Sequence, residues 1–208
     1  MKNTHVPYFC QWESPEWAED IVLGRRAAKD DPLWPQSGAT TQEEYALWAY
    51  HMCGMACLKM VLAQRQNKII PLVHLARQAT CYGGYIIKKD EVKGLIYAPF
   101  VAFVREIFGL DSHIEVGKNA KDIPALLQEG SFFIASVHPF IRWPERTPPQ
   151  KGGHLVLVTA ANNHEITFHN PSGHTSQAQE NAKLPLDTFD RFFAGRGILI
   201  RKEEKEKA

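Results

Sequence analysis

The spacing of apolar residues changes once along this chain, and that change limits the folds open to it. Up to about residue 130, apolar side chains recur at helical spacing; beyond it they alternate or run continuously in short stretches. FFIASVH (132–138), HLVLVTA (154–160), HEITFH (164–169) and GILIR (197–201) read as strands. Earlier, Ser14, Pro15 and Glu16 open a helix that closes near Gly24. A capping box, Thr40 with Glu43 or Thr41 with Glu44, opens another. Further helices are predicted over about 53–66, 71–80, 99–108 and 122–129. Helices first and sheet second is the α+β order.

With 208 residues, 44% of them hydrophobic, the chain is long enough to bury one good core, which predicts a single domain over 1–208. Lys and Arg number 24 against 23 Asp and Glu, and no basic stripe points to nucleic acid or an anionic membrane. Four cysteines are too sparse for a disulfide framework. No run resembles a signal peptide or approaches the roughly 20 apolar residues of a membrane helix. The expectation is a soluble, cytoplasmic protein that binds neither nucleic acid nor membrane.

HMCGMACLKM (51–60) sets Cys53 before Gly54 and a buried-looking helix. Glycine is unfavourable inside a helix, so Cys53-Gly54 starts one, placing the sulfur near free backbone N–H groups. A thiol attacks as its thiolate, which a helix N-terminus and a neighbouring imidazole both favour. Cys57, one turn on, reads as core. Cys53-x-x-x-Cys57 with His51 lacks the second ligand pair of a structural zinc site, so no metal or cofactor is expected.

Of nine histidines, His154 stands apart because Gly152-Gly153 precede it and a strand follows. Ala161-Asn162-Asn163 makes a good turn, so 154–160 and 164–169 should pair as a hairpin. Setting Val158 against Ile166 and Val156 against Phe168 puts the apolar pairs on one face and brings Asn170 opposite His154. There a carboxamide can fix the ring's tautomer and tilt. Gln11 is a candidate donor to a developing oxyanion, beside the backbone N–H of Cys53. Gly153 allows a substrate to pass close to the backbone. In the proline-rich loop that leads to His154, His138 and Trp143 either line a cleft wall or belong to an ordinary surface loop.

VPYFCQ, CGMACLKMVL, GGHLVLVTA and ITFHNPSG, in that order over roughly residues 6–173, resemble the papain-like cysteine peptidases of the bacteriocin leader-processing, C-thirty-nine-like group. The resemblance implies a central helix packed on an antiparallel sheet, with Cys53 as nucleophile and His154 as base and then acid. It further implies Asn170 as the group orienting His154, Gln11 in the oxyanion hole, and hydrolysis of a peptide or peptide-like substrate through a thioester. Transporter-borne members of the group cut after double-glycine leaders. Against the family pattern, residues of about 12–50 form a helical insertion carrying Trp12, Trp17, Trp34 and Trp48, and about 202–208 is a charged tail. Asn170 stands where many relatives have aspartate. A cysteine peptidase or amide hydrolase is the first expectation. An acyltransferase or transpeptidase would use the same residues and differ only in admitting an amine or thiol instead of water. A non-catalytic binding module on the same fold is the third reading.

Overall fold

Helix-forming residues dominate up to residue 81. In this part the computed structural model, which describes residues 5–89, 91–127 and 130–201, has 3-10 turns at Pro15–Trp17, Ala28–Asp30 and Trp34–Ser37 interspersed with α-helices. Its α-helices are α1 (Ala18–Val22), α2 (Gln42–Trp48), α3 (Cys53–Gln66) and α4 (Leu72–Cys81). Of the two capping arrangements that the sequence allows, Thr41 with Glu44 is the one formed: Thr41 Oγ1 accepts from the Glu44 N–H at 3.2 Å. Glu44 in turn accepts from the backbone N–H and hydroxyl of Thr40. Helix α3 starts at Cys53, as the Cys-Gly pair predicts, and every residue from Gly54 to Leu62 is buried. A helix buried on all sides lies inside a core, and here its one buried charge, Lys59, is set over the Phe9 ring at 4.7 Å. Trp12 and Trp48 are buried, and Trp17 and Trp34 pack against the same core.

A short hairpin of β1 (Tyr85–Lys88) and β2 (Glu91–Gly94) follows, then α5 (Tyr97–Phe108), β3 (Ser112–Val116) and α6 (Ile123–Leu126). The remaining elements are β4 (Phe132–Val137), β5 (His154–Ala161), β6 (Glu165–His169), α7 (Ser176–Gln179), β7 (Ala182–Pro185), α8 (Leu186–Phe192) and β8 (Phe193–Ile200). Six strands form one antiparallel sheet in the order β3-β8-β4-β5-β6-β7. The α+β class is as expected, and the sheet is larger than the sequence suggests. Its faces divide by alternation. Ile134, Leu155 and Leu157 join the helical core with α3, whereas Phe133, Val156, Val158 and Phe168 join a second core against Phe189 and Phe192 of α8. The expected tail lies outside the described residues. Among the described residues, no single helix is long and apolar enough to cross a membrane.

The hairpin register differs from the expected one. Val158 pairs with Phe168 and Leu157 with His169, and an irregularity beyond Val158 then sets Ala161 against Ile166. The cause is the loop. Asn162 Oδ1 accepts from the N–H groups of His164 and Glu165, at 2.8 and 2.9 Å, so the turn occupies residues 162–165, between the paired Ala161 and Ile166, instead of 161–163, and shifts β6 along β5. Before the irregularity the shift is an even number of residues, so Val156, Val158 and Phe168 keep one face. Asn170 consequently lies diagonally from His154 rather than opposite it.

The helical segment over residues 12–50 closes on one buried carboxylate. Asp31 accepts from the Ser14 N–H (3.0 Å), the Ser14 hydroxyl (2.6 Å), the Leu33 N–H (2.9 Å) and the Tyr45 hydroxyl (2.8 Å). A fully buried anion needs this many donors.

Candidate active site

Cys53 is the first residue of α3, and its N-cap Met52 makes no side-chain cap hydrogen bond to the first turn. Gly54 is required by packing. A Cβ there would stand 2.9 Å from Leu95 Cδ2 and 3.0 Å from Leu155 Cδ1, so its absence lets β5 approach the start of α3. Cys57 bears on the same strand, its sulfur 3.9 Å from the Leu155 carbonyl.

His154 opens β5 behind Gly152 and Gly153, whose φ angles of 88° and 97° glycine alone adopts readily. Its Nε2 lies 2.8 Å from Asn170 Oδ1 and 3.0 Å from Ser172 Oγ. The Ser172 backbone N–H donates to the same Asn170 Oδ1 at 3.2 Å, which fixes the carboxamide with its oxygen toward the ring. Nε2 must therefore carry the proton, and Nδ1 is left as the unprotonated, proton-accepting nitrogen. Tyr8 donates to the Asn170 carbonyl at 3.0 Å, and the Gln11 N–H and Cys10 thiol donate to the Pro171 carbonyl at 2.8 and 3.1 Å. The N-terminal segment from Tyr8 to Gln11 thus braces the Asn170 turn.

Cys53, Gly153, His154 and Leu155 share one cavity of about 430 Å³. Tyr50 and His51, just before α3, form part of its wall, and the stretch from Gly94 to Tyr97 forms another. Ser136 and Arg196 complete it. The remaining candidates lie outside this lining. The Gln11 side chain donates to the Ala49 carbonyl at 3.2 Å, close before α3 in sequence. His138 Nδ1 accepts from the Phe140 N–H at 3.1 Å and caps the 3-10 turn Pro139–Arg142. Trp143 packs its ring on Phe140 and His174.

Arg142 and Ser172 are contributors that the sequence does not single out. Arg142 Nε donates to the Ser172 carbonyl at 2.6 Å, and its Nη2 donates to Ser172 Oγ, the oxygen beside His154. Ser172 adjoins the Asn170-Pro171 turn and was within reach of motif reading. Arg142 was not, because an arginine in a long loop carries no local signal.

Burial governs the charges. It raises the Cys53 thiol above its ordinary value; the N–H groups of Leu155 and Gly54 and the positive Arg142 oppose it. Burial also pushes His154 down to about 3, reinforced by Arg142 and opposed by its hydrogen bond to Asn170. Both effects favour a neutral thiol and a neutral imidazole at rest in the cavity they share. Cys10, pushed up to about 12, and Cys57, well above its ordinary value, are buried thiols. Cys81 is exposed.

Neither a protein-family model nor a curated protein matches the sequence. Among solved structures, the peptidase domain of Streptococcus ComA, a bifunctional ABC transporter, superposes with a TM-score of 0.50 at 15% identity, over 73% of this chain and 92% of that one. A Bacillus anthracis chain described as a C-thirty-nine-like peptidase gives 0.52 at 13% identity, over 74% and 90%. At this identity the likeness is one of architecture: the chain has the papain-like fold of the C-thirty-nine-like peptidase domains.

Proposed function

We propose that the chain is a cysteine peptidase or amide hydrolase that acts on a peptide-like substrate through a Cys53 thioester. The observation that carries the reading is the Nε2–Oδ1 contact of 2.8 Å between His154 and Asn170 at a cavity that Cys53 also lines. With Nε2 committed to Asn170, Nδ1 is the atom that takes the thiol proton. As both groups rest neutral, the proton moves as sulfur attacks the carbonyl carbon rather than beforehand. The resulting oxyanion meets the N–H groups at the start of α3, and Gln11 adds its amide by exchanging the Ala49 carbonyl for the substrate. His154 then protonates the leaving amine, and water, deprotonated by the same imidazole, releases the acid. His138 and Trp143, outside the lining, would act on a longer substrate that continues past the cavity along their loop.

Peptide-panel hydrolysis read by mass spectrometry tests this. Cys53→Ala should abolish turnover and His154→Ala should lower it about 10²–10⁴-fold, with both variants folded. Undiminished turnover by folded Cys53→Ala would remove the proposal.

A further inference from the structure

We propose that the cavity selects substrates bearing a carboxylate beside the scissile bond, held by Arg196 together with Ser136 and Tyr97; this rests on the hydrolase reading and adds a substrate class to it. The cavity lining contains Arg196 and no aspartate or glutamate. Among the described residues Arg196 has no carboxylate within ion-pair distance, although it is exposed and free to find one. An arginine beside a reactive thiol, with no acid of its own, offers its planar fork of N–H donors to whatever enters.

The backbone is shaped around this group. Ser136 sits where the β4–β8 register shifts between Ala135 and Val137, the kind of irregularity that re-aims a side chain. Gly152, two residues before His154, would place a Cβ 3.3 Å from Ser136 Oγ and 3.8 Å from Arg196 Nη2. Its bareness brings both donors to the strand end that presents His154. The Tyr97 hydroxyl is kept protonated by burial, and the Ser136 and Arg196 side chains face it. A guanidinium and two hydroxyls with no competing anion fit a carboxylate. It can come from an acidic side chain or from the C-terminus of a peptide.

The test compares alkylation of Cys53 by iodoacetate and by iodoacetamide, reagents of similar size that differ in charge. In a Cys81→Ser background the other cysteines are buried, and peptide mapping assigns the site. The iodoacetate-to-iodoacetamide rate ratio should fall about tenfold in Arg196→Gln, since Arg142 and His154 act on both proteins alike. An unchanged ratio overturns the inference. Failure of both reagents to modify Cys53 removes the hydrolase reading itself. For a cleaved peptide, preference for Glu over Gln next to the cut assigns the carboxylate to a side chain. Preference for a free over an amidated C-terminus assigns it to the chain end. A cleaved peptide that shows no preference of either kind contradicts the proposal.

Discussion

Cys53, His154 and Asn170 were legible because each sits beside residues whose presence needs a physical reason: a glycine at a helix start, a glycine pair before a strand, and a turn motif after one. Arg142 was invisible because its partner Ser172 is brought to it only by the fold. Removing its charge has a defined consequence. Arg142 favours the Cys53 thiolate, so Arg142→Gln should move the pH profile of Cys53 alkylation to higher pH and slow labelling several-fold at neutral pH. Arg142→Lys, which keeps the charge but loses the fork, should retain most of the neutral-pH rate. Identical profiles for wild type and Arg142→Gln would refute this role. His154 gives a second test. Unfolded, it titrates near ~6.5, whereas in the fold it is held neutral down to about 3. Between those values the unfolded chain binds the extra proton, so stability is lost as pH falls through that window, by up to roughly 5 kcal/mol. Denaturant midpoints of His154→Asn should therefore depend less on pH than those of wild type; parallel curves would contradict a buried neutral histidine.

Helix α3 was readable at both ends, whereas the β5–β6 hairpin was read in the right pairing and the wrong register. Side-chain alternation fixes the face of a strand, and loop length fixes its offset. The Asn162 side chain, which lengthens the turn by capping it, is not visible in apolar spacing. Strands β3 and β7 and the hairpin β1–β2 carry no clear signal in the sequence because they are short and half-exposed, with few apolar positions to show a period. The helical segment that precedes α3 is tied to the site as an element. Its end supplies Tyr50 and His51 to the cavity, and its centre closes on Asp31. Asp31→Ala would leave the Ser14 and Tyr45 donors buried without an acceptor and should cost about 3 kcal/mol or more in chemical denaturation. A change under about 0.5 kcal/mol would mean that the carboxylate does not hold this segment together.

Across the whole molecule, one sheet carries the imidazole and carboxamide, and one buried helix carries the sulfur, so the site depends on how the layers pack. Gly54 is the contact that sets their approach, with Leu95 and Leu155 occupying the space a side chain would need. The two-layer arrangement follows from a change of period that the sequence displays openly, whereas α8, which covers the second face, does not announce itself. The most direct measurement is peptide mapping of Cys53 after acid-quenched turnover of a cleaved peptide. The expected result is a mass increase on Cys53 equal to the acyl half of the substrate, absent in Cys53→Ala and discharged by hydroxylamine. Turnover with no acyl group on Cys53 at any quench time, under conditions where release of the acid limits the rate, would contradict a thioester route.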